Sequence, residues 1–113
     1  MRKSDKKMDN QIRLVLTDVC ETALKDIQGF EWLTHTVDYA RFPQTLKVTC
    51  VFDTNENLEA YLHSTLNHSL ALRIHTELKS LDIKIKNIQN HISYDTEEHC
   101  HHSHEGNWAE RLH

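Results

Sequence analysis

The chain predicts an α+β fold. A three-stranded sheet carries its helices on one face, in the order helix, strand, strand, broken helix, strand, with a short helix at the C-terminus. Two observations predict it. Leu46, Val48, Cys50 and Phe52 alternate with Lys47, Thr49, Val51 and Asp53, the period of a strand with one buried face. Ile12, Leu16, Val19, Cys20, Ala23 and Ile27 recur at three- and four-residue spacing, the stripe of an amphipathic helix. A two-layer sandwich buries both.

Taken in order, residues 1–8 read as a flexible basic tail. Asp9 or Asn10 is placed to cap the first helix, and Gln28-Gly29 to end it. Phe30 to Tyr39 reads as a strand with Leu33, His35, Val37 and Tyr39 on one side and Trp32, Thr34 and Thr36 on the other. The connection Ala40–Gln44 contains the only proline, Pro43, and the alternating stretch follows as the second strand of an antiparallel hairpin. Thr54 caps the next helix, with Glu56 and Glu59 near its positive end. A single helix over 55–80 would be about 39 Å long at ~1.5 Å per residue, too long for one small sheet. A break is therefore expected near Asn67-His68-Ser69, with Asn or Ser capping the second segment. Leu81 to Tyr94 reads as the third strand, with a parity switch near Lys86-Asn87 that suggests a bulge. The domain division is thus a tail at 1–8, an α+β domain at 9–95, and a His-rich acidic segment at 96–113 docked by Trp108.

Composition narrows the function classes. The 113 residues are 38% hydrophobic and 27% charged, which fits one globular domain. No apolar run reaches the ~20 residues of a membrane helix, and no apolar h-region follows the basic start. A cytoplasmic protein is expected. Three scattered cysteines, Cys20, Cys50 and Cys100, form no CxxC and read as reduced thiols, two of them core residues. Only Gly29 and Gly106 are available, so no glycine-rich phosphate loop can form, and no GxSxG or HExxH occurs. A non-enzymatic protein is expected.

Two stretches could carry binding chemistry. His99, Cys100, His101, His102 and His104 crowd the C-terminal segment. Imidazole and thiolate bind zinc or nickel, so this is a candidate metal site; a polar surface helix is the plainer reading. A nucleic-acid surface could combine the basic arm (Arg2, Lys3, Lys6 and Lys7) with Trp32, Lys47 and Lys84 on the open sheet face, because an aromatic among lysines can stack bases and neutralise phosphates. The net charge of −4 opposes it, and a solvated face or a homodimer through that face is the alternative.

The segments Arg2-Lys-Ser-Asp-Lys-Lys7, Asp9-Asn-Gln-Ile-Arg13, Phe42-Pro-Gln, Val51-Phe-Asp-Thr54, Asp95-Thr-Glu-Glu98 and Gly106-Asn-Trp108 together resemble an uncharacterised family of small gammaproteobacterial proteins, often labelled automatically as Fis-family transcriptional regulators. The label implies DNA binding, although Fis itself is all-helical and ends in a basic helix-turn-helix, where this C-terminus is acidic. The element order is also similar to that of ribosome-binding factor A, a type II KH-like domain. That resemblance implies RNA binding, with Asn67-His-Ser69 at the place of its helix kink, and carries over no functional residue. The leading expectation is a regulatory or assembly module for a protein or ribonucleoprotein partner. A transition-metal-binding protein and a DNA-binding regulator are the rivals.

Overall fold

The computed structural model describes residues 2–112. Helix α1 spans Lys3–Asp26, strand β1 Phe30–Thr36 and strand β2 Lys47–Phe52; helices α2 and α3 span Asn55–Leu62 and Ser69–Ser80; strand β3 spans Ile92–Thr96, and helices α4 and α5 span Glu97–His104 and Trp108–Arg111. The sheet is three-stranded with β2 in the centre. β1 pairs β2 antiparallel, from Phe30↔Phe52 to Thr36↔Lys47. β3 pairs β2 in parallel, from Val48↔Ile92 to Phe52↔Thr96. The α+β class read from the sequence is the class observed.

The core lies between one sheet face and helices α1, α2 and α3. Ile12, Leu16, Val19 and Ala23 of α1 meet Val48, Cys50 and Phe52 of β2, and Leu70, Ile74 and Leu78 of α3. Phe52 stacks edge-on against Phe30 at 5.8 Å and lies 5.2 Å from the Tyr61 ring of α2. Thr54 caps α2 as expected, its hydroxyl accepting from the Asn57 N–H at 3.0 Å. At Gly29 the backbone is left-handed, and a Cβ there would lie 2.6 Å from that of Asn57. Only glycine fits the turn between α1 and β1.

Four expectations need correction. Residues 3–8 are not a tail: they are the first turns of α1. Their lysines and acids are adequate helix formers but give no apolar stripe to read, and Met8 packs against the core. Asp9 is accordingly no cap; it lies inside the helix. The helix break falls at 63–68, as expected, but no Asn or Ser side chain caps α3. The Tyr61 hydroxyl accepts from the Leu70 N–H at 3.0 Å instead, supplying the missing acceptor from the preceding helix. The third strand is short. The alternation of Ile83 and Ile85 is an extended stretch that buries both isoleucines without pairing, and a 3₁₀ turn at Ile88–His91 separates it from β3. The parity switch in the sequence is that turn rather than a bulge.

The second sheet face is not fully open. Beyond β3 the chain turns at Thr96, whose hydroxyl caps α4 by accepting from the His99 N–H at 2.9 Å. The α4–α5 segment then folds back over Trp32, so one end of this face is covered and the other opens as a cleft.

Candidate functional sites

Three constellations stand out. The first locks the C-terminal segment to the sheet. Trp32 and Trp108 meet edge-to-face at 4.9 Å. Glu97 takes both indoles: Trp32 Nε1 donates to Oε1 at 2.6 Å and Trp108 Nε1 to Oε2 at 2.9 Å. Arg111 grips Asp95 with two parallel bonds, Nε to Oδ2 at 2.5 Å and Nη2 to Oδ1 at 2.9 Å. Burial alone would push the Asp95 carboxyl up; Arg111 and the Thr96 N–H outweigh it and hold the acid below its ordinary range. The fork geometry makes this pair strong and directional.

The second constellation ties α1 to β1. Asp9 accepts from the Tyr39 hydroxyl at 2.8 Å and from Arg13 Nη2 at 3.1 Å, and its Oδ1 lies 2.8 Å from His35 Nε2. Burial raises Asp9, but the bonds from His35 and Tyr39 lower it further, and its carboxyl ends below the usual value. All of its partners hold the carboxylate charged, so the group is a structural anchor rather than a proton donor.

The third is a groove of about 340 Å³ where the β1–β2 connection meets the segment before β3. Lys84 and Lys86 point outward from the extended stretch that buries Ile83 and Ile85. Gln44, Asn90 and His91 complete the wall, and no carboxylate lines it. His91 Nδ1 lies 2.6 Å from the Leu46 carbonyl, which can only accept. The proton is therefore on Nδ1, and in the neutral ring Nε2 is an acceptor. Neither lysine is in an ion pair among the described residues.

The residues singled out from sequence are scattered over these sites. Arg2, Lys3, Lys6 and Lys7 lie exposed on the first turns of α1. Trp32 is half-buried in the Glu97 cluster, Lys47 faces the cleft on the second sheet face, and Lys84 lies in the groove with Lys86. They do not form one surface, because Lys84 precedes β3 instead of lying within it. The His-rich segment also separates. Cys100 is fully buried, while His99, His101 and His102 are exposed. His104 is half-buried, with Arg111 Nη1 3.2 Å from its Nδ1. Among the described residues no group of three or more His, Cys, Asp or Glu is arranged to hold a metal ion.

The thiols are poor nucleophiles as placed. Burial pushes the Cys50 thiol up to about 12 and raises those of Cys20 and Cys100. Sequence reasoning missed Glu97 and Asp9 as organising residues, because their partners lie far along the chain. No helix among the described residues is long and apolar enough to cross a membrane. No protein-family model, curated protein or solved structure matches the chain.

Proposed function

We propose that this protein is a non-enzymatic binding module that engages single-stranded RNA of a ribonucleoprotein partner through the Lys84–Lys86 groove. The observation that carries this reading is the convergence of two unpaired lysines, amide side chains and a histidine acceptor in one groove without a carboxylate. Ammonium groups serve the phosphates, and amides with the His91 Nε2 can meet base edges. The element order supports the reading: helix, hairpin, a helix in two pieces and a strand is the order that suggested a KH-like domain. The basic turns at Arg2, Lys3, Lys6 and Lys7 would add sequence-independent attraction.

The groove holds few charges and the protein is acidic overall, so the affinity is modest and its salt dependence shallow. With two or three phosphates neutralised, log K should fall with log salt at a slope of roughly −1.4 to −2.1. Anisotropy of a labelled oligouridine, titrated with wild type and with the double variant Lys84→Glu/Lys86→Glu, tests this. A loss of tenfold or more in the variant supports the reading. Equal binding by the two proteins, or none by either at ~100 μM, removes it. A DNA-regulator reading finds no support in α3, where Arg73 is bound to Asp26 at 2.8 Å and Leu70, Ile74 and Leu78 face the core.

A further inference from the structure

The cleft that α4 and α5 leave open on the second sheet face belongs to none of the roles above. Its volume is about 350 Å³, at the lower end of the range for small-molecule sites. Its floor is built by all three strands. Thr36 and Lys47 are register partners across β1 and β2, and Thr49 and Ser93 are partners across β2 and β3. This places three hydroxyls and one ammonium on the same side of the sheet. Thr49 is only 5% exposed. Its hydroxyl lines the cleft.

The far wall is Arg111 with His104. Arg111 is neutralised by Asp95, which also lines the cleft. His104 Nδ1 lies 2.8 Å from the Ser103 hydroxyl and 3.2 Å from Arg111 Nη1. The charge of Arg111 on this wall is compensated by Asp95. Lys47 makes no ion pair among the described residues. The formal sum of Lys47, Arg111 and Asp95 is one positive charge, surrounded by hydroxyls that can donate.

We propose that this cleft binds a small ligand through an oxyanion, a carboxylate or a phosphate, with Lys47 supplying the charge and Thr36, Thr49 and Ser93 the hydrogen bonds. Its place on rigid strands favours a preorganised site. The ligand also bridges the sheet to α4–α5, so binding stabilises the docked C-terminal segment.

The test is a ¹H–¹⁵N correlation titration of the full chain with inorganic phosphate and, separately, with acetate, at constant ionic strength. Saturable shifts confined to residues around Thr36, Lys47, Thr49, Ser93, His104 and Arg111 are expected for one of the two, and which one saturates names the oxyanion. Lys47 is exposed, so Lys47→Met should fold normally and weaken binding by roughly tenfold or more, the usual worth of a hydrogen bond to a charged group. Ser93→Ala should weaken it severalfold and serves as a second variant. Linear, unsaturated shifts with both anions, or saturation that Lys47→Met and Ser93→Ala leave unchanged, would overturn the proposal. Lys84→Glu/Lys86→Glu leaves this cleft intact, so the outcome is independent of RNA binding.

Discussion

Replacing Glu97 by alanine should release the C-terminal segment. Glu97 is the acceptor for both indole N–H groups, at 2.6 and 2.9 Å. A hydrogen bond to a charged group is worth about 1.5–3 kcal/mol when its donor is left buried and unmet. Both tryptophans are half-buried, so water recovers part of that, and about 1 kcal/mol per bond is a fair discount. The edge-to-face contact between the rings adds ~0.5–1.5 kcal/mol if it is lost with them. The total is about 2.5–3.5 kcal/mol. For a chain of this size that lowers Tm by roughly 10–15 °C. The chain contains only two tryptophans, Trp32 and Trp108, and both are in this cluster, so tryptophan emission below the global transition reports on docking. Glu97→Ala should shift the emission to the red below the main thermal transition. Glu97→Gln, which keeps an acceptor, should fall between. Unchanged emission together with a Tm within ~2 °C of wild type would refute the reasoning.

Arg111→Met should flatten the acid limb of the stability curve. Asp95 has a lower pKa folded than unfolded; its contribution is present above the unfolded value of ~3.9 and is lost as pH falls through the folded one, so wild type should lose more stability than the variant between about pH 4 and 2 in urea melts. With disulfide reagent at pH 8, Cys20 should react slowly, and Cys50 and Cys100, both fully buried, only after denaturation; fast labelling of Cys100 in the native protein would contradict its packing. Zinc or nickel at equimolar amounts should leave Tm within ~1 °C, because the inward Cys100 and the outward histidines share no centre. A saturable rise of several degrees would support the metal reading.

Local chemistry was legible in the sequence and distant partnership was not. The apolar stripe from Ile12 to Ala23, the alternation of Leu46 to Phe52 and the Thr54 cap depend on neighbours in the chain, and each was readable. The start of α1 was not, because Lys3 to Lys7 bury nothing and depend on later anchoring by Asp9 to His35 and Tyr39. The Ile83–Ile85 alternation carried the same period as a strand. What denied it a partner is global: β2 is already paired on both sides, by β1 and β3. Of the candidate site residues, Lys84 stayed with a plausible neighbour, Lys86. Trp32 could not be placed from sequence, since an exposed base-stacking ring and a ring clasped by Glu97 and Trp108 share one local pattern.

The most direct measurement is chemical-shift mapping of a short single-stranded RNA on the ¹⁵N-labelled protein at low salt. Perturbations concentrated at Gln44 and 84–91, fading as salt is raised and absent in Lys84→Glu/Lys86→Glu, are predicted. Perturbations confined to other surfaces, or no change at millimolar RNA, would contradict the assignment of the groove.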